Sequence, residues 1–374
     1  MTIHNTPTTK RSNPMTTVGL DIGDKYLHLH ELTPFGEVLE QARFKNDPKK
    51  LESFFKDRDP SRIVLEVGSQ SRWITLQLRS YGHDVLMADP RQLKLISGSL
   101  FKNDKRDAEM LALLGTQTAH LIKTVEVRED KHQHALTMVR ARAAAVEART
   151  KLVNTIRGLL KPYAVKIPKE GRSGAFVEYA RENVEQEYAV MLEPLLQSVE
   201  QLNKSIHSYD DMAEKMLPEV APDAQNLLTI HGVGVLTVLY FAALIGDPNR
   251  FSKSRNVGAY LGLTRSQADS GETVSDRGIS HAGDAYMRAL LANCASYILG
   301  PFGKDSDLRR WGLAKITQIS GGAPPKSKKA RIAKKKVKVA LARKLSVLML
   351  TLWKTGHDYD PDHHSKRQAP KQAA

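Results

Sequence analysis

Four acidic side chains stand where an acid needs a reason. Asp21 lies inside Val18-Gly19-Leu20-Asp21-Ile22-Gly23 and Glu66 inside Ile63-Val64-Leu65-Glu66-Val67-Gly68. Both are apolar runs of strand length, and a lone carboxylate drawn into such a strand is costly or is forced neutral. A bound cation removes that cost. Asp104 and Asp107 follow three residues apart, on one face of a helix that starts there. Carboxylates of this kind are the donors that Mg2+ takes, and one or two such ions can clamp the attacking and leaving oxygens of a phosphodiester. The chemistry this set suits is metal-assisted cutting and joining of DNA strands.

Each acid also has a plainer reading. Asp104 and Asp107 fit a helix N-cap and a first-turn acid, which satisfy free backbone amides and favour the helix dipole. Asp21 and Glu66 fit edge-strand acids turned to water, although apolar neighbours on both sides weigh against it.

The elements that must position these residues read in order. Residues 1–17 are polar and aperiodic and are expected to form a disordered leader. After the Asp21 strand, Tyr26–Leu32 alternates apolar and polar, Pro34–Glu37 supplies a turn, and a further extended run follows. Asn46-Asp47-Pro48 caps a helix through Phe55; then come the Glu66 strand, a helix over Ser71–Tyr81 and a strand over Asp84–Ala88. Hairpin first, then alternating strand and helix, predicts a mixed sheet flanked by helices over 18–125. An acid on the first strand and another on a later neighbour is the layout of ribonuclease-H-like nucleases.

Residues 126–217 read as long helices. Leu152, Ile156, Leu159 and Leu160 form one apolar face ending near Pro162, and Lys166–Gly174 reads as the reversing loop. Tyr188, Leu192, Leu195, Val199, Leu202, Ile206 and Tyr209 form a heptad seam, which buries either against a helix of the same chain or against a second copy. Pro218–Asp223 reads as a linker into a further unit over 218–356. That unit opens with Ile230-His231-Gly232-Val233-Gly234 before an apolar helix. Amides at Gly232 and Gly234 suit a phosphate, and the basic chain that follows favours this over the plainer reading of a tight turn between helices.

A polar loop then runs from Arg265 to Asp284, with a helix expected to begin at Arg288. Nothing local singles out Ser270 over Ser266, Ser275 or Ser280. Beyond it, Lys326–Lys344 holds no acid. Its cations, among them Lys326, Lys328, Lys329, Arg331, Lys334, Lys335 and Lys336, are expected to follow a phosphate backbone, and the second half to become an apolar helix. Residues 357–374 are expected to be disordered.

Composition bounds the partners. The 374 residues hold 56 Lys and Arg against 41 Asp and Glu, a net charge of +15, which favours a polyanion, either nucleic acid or an anionic membrane surface. No apolar run nears the roughly 20 residues of a spanning helix, and no signal-peptide core is visible, so no membrane partner and a cytoplasmic, nucleoid location are expected. Cys294 is the only cysteine, which excludes intrachain disulfides and thiolate zinc sites. The thirteen histidines show no metal-ligand spacing, and His363-His364 reads as a solvated pair in the tail.

Taken together, these strings resemble the insertion-sequence 110 family of transposases, grouped with the 116 and 902 insertion sequences. GLDIG supplies Asp21, LEVG supplies Glu66, and NDKRDA supplies Asp104 and Asp107. Ile230–Gly234 matches a glycine-rich entry, Ala259–Thr264 an AxxGLTP-like string with Arg265 where proline is usual, Asp269-Ser270-Gly271 a Ser-Gly element, and Arg277–Gly283 an RxS-K/H-x-G-like element.

The resemblance implies an α/β RuvC-like (ribonuclease-H-like) domain with an Asp-Glu-Asp-Asp quartet, an all-α coiled-coil insertion and a mainly helical C-terminal transposase domain. It implies catalytic roles for the quartet and Ser270, Mg2+ on the quartet, and nucleic-acid contact by Arg277. The implied partners are donor and target DNA, a structured noncoding guide (bridge) RNA, and further copies of the chain in a dimer or tetramer. With quartet and serine in separate domains, the site is open to completion between protomers. A metal-dependent, junction-resolving nuclease with water as nucleophile, and a non-catalytic nucleic-acid scaffold, are the alternatives.

Overall fold

The computed structural model of the chain describes residues 15–90, 104–167, 173–266 and 278–368, in two compact units, Met1–Val127 and Arg128–Ala374. In the first unit, five strands form one mixed sheet: β1 (Thr17–Ile22), β2 (Tyr26–Leu32), β3 (Val38–Lys45), β4 (Arg62–Glu66) and β5 (Asp84–Ala88), in the order β3-β2-β1-β4-β5. Short turns make β1–β2 and β2–β3 antiparallel, and β4 and β5 run parallel to β1. Helix α1 (Pro48–Phe55) starts where the Asp47 carboxylate accepts the amides of Lys49 and Lys50 at 3.0 and 3.2 Å. Asp47 satisfies two of the first turn's free donors, and Pro48 needs none.

Alternation assigns the two faces of the sheet. Val18, Leu20, Leu27, Leu29, Ile63 and Leu65 bury against Leu51 and Phe55 of α1 and Ile74 and Leu78 of α2 (Ser71–Ser80). The intervening residues, Gly19, Asp21, His28, Val64 and Glu66, therefore face the other way. That face is covered by α3 (Asp104–Gln117), whose Leu111 packs on Val64 and Ala88.

In the second unit, α4 (Asp130–Leu159) and α6 (Gln186–Val220) run antiparallel, held by Arg142 on Asp210 (Nε to Oδ1, 2.6 Å) and by Arg149 on Asn203 (3.1 Å). At the tip, Phe176, Val177 and Ala180 of α5 (Ser173–Asn183) pack with Ile156 and Leu160 of α4 and Leu192, Leu196 and Val199 of α6. The heptad seam is thus covered by helices of its own chain. Pro218 lies in the last turn of α6 and not in a linker. The base of this hairpin shares one core with the rest of the unit, centred on α7 (Val235–Ile245), which is buried from Thr237 to Ile245.

Around α7 lie α8 (Val257–Tyr260), α9 (Ala285–Ile298), α10 (Asp307–Ser320) and α11 (Lys328–Thr355), with Trp353 of α11 against Phe241 at a ring separation of 6.2 Å. The basic stretch and the apolar stretch that follows are one helix, α11, capped by Ser327. Residues 357–368, expected to be disordered, are instead tied down and end in α12 (His363–Gln368). Asn226 Nδ2 donates to the carbonyls of Leu352 and His357 at 3.0 and 2.7 Å, the Tyr359 amide donates to Thr229 Oγ1 at 2.9 Å, and Arg310 Nη2 bonds Asp362 at 2.5 Å. A polar segment looks unstructured when its hydrogen-bond partners lie far away in the chain. Among the described residues no helix is long and apolar enough to cross a membrane.

Candidate metal centre and the base of the serine segment

Helix α3 reaches the sheet where β1 lacks a side chain. A Cβ at Gly19 would lie 1.9 Å from the Ala108 carbonyl oxygen and 2.4 Å from the Ala112 amide nitrogen, and one at Gly115 would meet Val64 and Thr17. These contacts fix direction: Gly115 lies over Thr17 and Ala108 over Gly19, so α3 runs opposite to β1. Its N-terminus therefore stands above the end of β1 that carries Asp21. Asp104 precedes Ala108 by four residues and shares its helix face. Asp107 precedes Leu111 by the same interval, which puts it above β4, the strand ending in Glu66.

Within this arrangement a carboxylate oxygen of Asp21, a carboxylate oxygen of Asp104 and an imidazole nitrogen of His28 all lie within 4.8 Å of one another. Among the described residues this is the one group of three or more His, Cys, Asp or Glu side chains whose donors converge so closely. His28 faces Asp21 directly across the antiparallel β1–β2 pair, and its Nδ1 lies 3.9 Å from Asp104 Oδ2. That nitrogen is buried without a hydrogen-bond partner. Two hard oxygen donors and a borderline nitrogen, one of them a buried atom lacking a partner, fit a divalent cation of the Mg2+ or Mn2+ class.

Glu66 and Asp107 belong to the same end of the same face but not to the convergent group. Glu66 is exposed at the end of β4, and Asp107 is half-buried. His28 joins this group although the histidines show no metal-ligand spacing in the sequence. Spacing along one strand carried no sign of it. The signal was the tight hairpin, whose register sets residue 28 opposite residue 21.

In the second unit, Ser270 and Arg277 lie outside the described residues, which stop at 266 and resume at 278. The base of that segment is well defined. Arg265 and Ile279 form an antiparallel bridge, with Ser266 N donating to Gly278 O at 3.0 Å and Ser280 N to Thr264 O at 2.8 Å. Behind it, Gly262 sits at φ +70° and a Cβ there would lie 1.8 Å from Ala282 O. Arg288 Nη1 donates to the carbonyls of Leu261, Ala282 and Gly283 at 3.2, 3.2 and 3.0 Å.

Asp284, which follows, caps α9 by accepting the Met287 amide at 2.8 Å, so the helix begins at Ala285, earlier than expected. Its Oδ2 also accepts the Tyr240 hydroxyl at 3.0 Å and Arg140 Nη2 at 2.9 Å. Burial pushes the Tyr240 phenol up to about 12; the Asp284 charge adds to the shift and the Arg140 guanidinium works against it.

The remaining candidates are surface features. Gly234 is exposed at the N-cap of α7, whereas Gly232, at φ +93°, packs on Tyr297. Lys326, Lys328, Lys329, Arg331, Lys334, Lys335 and Lys336 are all exposed, while Ala330, Ala333, Val337 and Leu341 form the buried stripe of α11.

Comparison with known proteins adds two matches in order along the chain. Residues 18–165 match the model of a transposase family of DEDD, IS110 type, and residues 224–306 match the transposase IS116/IS110/IS902 family. A probable family 20 transposase of Pseudomonas aeruginosa is 26% identical over 79% of this chain and 88% of its own length. The transposase for insertion sequence element IS1328 of Yersinia enterocolitica is 27% identical over 75% of this chain and 83% of its own. That for IS1111A of Coxiella burnetii is 27% identical over 81% and 83%.

Proposed function

We propose, for a chain that belongs by these matches and relatives with the IS110/IS116/IS902 transposases, enzymes that cut and rejoin DNA, that strand transfer proceeds through a serine–DNA link guided by a noncoding RNA. The observation that carries the metal half of this reading is the convergence of Asp21 and Asp104 with His28 at one end of the sheet. In this reading Asp21, Glu66, Asp104 and Asp107 hold divalent cations, Mg2+ first among them. When bound, such a cation neutralises phosphate charge and polarises the scissile bond.

Ser270 supplies the nucleophile. Its Oγ attacks phosphorus, the Oγ–P bond forms as a bridging P–O bond breaks, the serine proton leaves to a base, and the departing sugar oxygen gains a proton. The phosphoserine keeps the energy of the original phosphodiester, so a second sugar hydroxyl can displace Ser270 and join the strands with no other energy source. The hydrogen-bonded ladder at Thr264–Ser266 and Gly278–Ser280, braced by Arg288, supports this role, because it fixes both ends of the segment carrying Ser270.

Sequence choice falls to base pairing with the guide RNA, and the protein reads phosphate and shape. The acid-free, exposed face of α11 and the net charge of +15 support that division. The RuvC-like reading of the first unit is supported by the strand order, with Asp21 and Glu66 at the ends of neighbouring parallel strands.

The test incubates the full chain with the element's end RNA, both DNA partners and Mg2+. A protein–DNA adduct that survives denaturation and is absent from Ser270→Ala, together with joined products, is the expected result. Free 5′-phosphate ends without an adduct overturn the serine in favour of water, and metal-independent binding without any strand chemistry overturns the enzyme.

A further inference from the structure

We infer that His28 is itself a metal ligand, through Nδ1, and that the ion it shares with Asp21 and Asp104 is selected toward first-row transition cations of the manganese class over magnesium. This rests on the reading above that the acids hold a divalent cation. It adds a nitrogen donor that the four-acid set lacks.

Position comes first. The β1–β2 turn is closed by Gly23 N donating to Tyr26 O at 3.0 Å, and the register that follows sets Asp21 opposite His28. Directly opposed residues share a face, and a slip of one residue would turn every side chain of the strand over. Burial of Leu27 and Leu29 on the opposite face holds that register. Asp104 is brought to the same point from above, by the close seating of α3 on Gly19. Three separate elements thus deliver the three donors.

The environment of His28 differs from that of a structural histidine in the same unit. His83 is buried with both ring nitrogens engaged, Nδ1 with the Ser61 amide at 3.2 Å and Nε2 with the Phe55 carbonyl at 3.0 Å. The His28 side chain is 17% exposed, but its Nδ1 is withdrawn from water, has no hydrogen-bond partner and has the Asp104 carboxylate 3.9 Å away. A buried polar atom without a partner is costly, and a cation held between the ring and the two carboxylates supplies the partner that His28 Nδ1 lacks. His30, two residues on, is also buried with an unpartnered Nδ1, but it lies outside the convergent group.

Donor chemistry then sets the choice of ion. Magnesium takes oxygen and sheds water reluctantly, so an imidazole adds little to its binding. Manganese accepts carboxylate and imidazole together, and affinity for nitrogen-containing sites rises along the first transition row.

The experiment uses the full chain and Mn2+ as its own probe, with no DNA required. Pulsed EPR of the bound Mn2+ is expected to show hyperfine modulation from a directly coordinated imidazole nitrogen in the unmodified protein, lost in His28→Gln. Titration of the same variant is expected to show Mn2+ affinity lowered on the order of tenfold, with Mg2+ affinity lowered distinctly less. His28→Asn and thermal melting control for the fold of the hairpin. Absence of nitrogen modulation in the unmodified protein, or its persistence in His28→Gln, overturns the assignment. Nitrogen modulation in a protein that forms no DNA adduct would leave His28 a ligand and remove the strand-transfer reading; an adduct formed around an oxygen-only ion would do the reverse.

Discussion

Gly19 lies directly beneath Ala108, so close that a Cβ at position 19 would stand 1.9 Å from the Ala108 carbonyl oxygen. The obstacle is helix backbone and cannot rotate away, so α3 must lift. Gly19→Ala is therefore expected to destabilise the first unit by about 1–3 kcal/mol, as overpacking of a tight contact does. It is also expected to weaken Mn2+ and Mg2+ binding together, because Asp104 rides on the displaced helix. Thermal melting and metal titration check both. A variant that melts and binds as the parent does would show that the seating of α3 does not position Asp104.

Arg288 is expected to matter through carbonyls. Its Nη1 donates to Leu261, Ala282 and Gly283 at the base of the serine segment. Bonds from a charged donor net about 1.5–3 kcal/mol, and the partial exposure of this side chain favours the lower end for Arg288→Ala. Lysine keeps the charge but not the planar fork, so Arg288→Lys should recover only part of the loss. Denaturant unfolding gives the stability, and the rate of adduct formation gives the effect on the segment. Unchanged values in both variants would mean that the ladder at Thr264–Ser266 holds without the guanidinium.

Much of the first unit was legible because its signals are local. Alternation marked β2, Asp47-Pro48 marked the start of α1, and apolar runs around Asp21 and Glu66 marked β1 and β4. What stayed hidden depends on distance in space. His28 becomes a candidate ligand only through hairpin register, and the crowding at Gly19 exists only once α3 has docked. The heptad seam of α6 read equally well as a dimer surface until α4 and α5 were seen to cover it. Pro218 read as a break, yet it sits in a final helical turn. The polar residues after 356 carried no local sign of their partners at Asn226, Thr229 and Arg310.

Alkaline stability is expected to depend on Tyr240. The ordinary phenol value is 10.0, and burial pushes Tyr240 up to about 12. A folded value above the unfolded one means that the unfolded chain loses its proton first as pH rises. Stability is then complete below pH 10 and falls between pH 10 and about 12. Tyr240→Phe removes that dependence, along with the hydroxyl's bonds to Asp284 and Arg140. The variant should be about 1 kcal/mol less stable at neutral pH and lose less of its stability above pH 10 than the parent does. Parallel slopes of stability against pH for the two proteins would remove Tyr240 as the group responsible.

The exposed face of α11 is expected to act through charge alone. Lys334, Lys335 and Lys336 lie on the solvent side of a helix whose buried stripe is Ala330, Ala333, Val337 and Leu341. Replacing all three by alanine should leave stability within about 0.5 kcal/mol of the parent, since alanine suits a helix and no packing is lost. Binding to nucleic acid should weaken, and the slope of log affinity against log salt should become shallower by about 2–3 units, at roughly 0.7–0.9 per lost phosphate contact. Anisotropy titrations of a labelled duplex and of a structured RNA across about 50–200 mM salt separate the two partners. A shallower slope with RNA only would assign this face to RNA and support the proposed guide, a shallower slope with DNA only would assign it to DNA, and an unchanged slope with both would mean that α11 touches neither backbone.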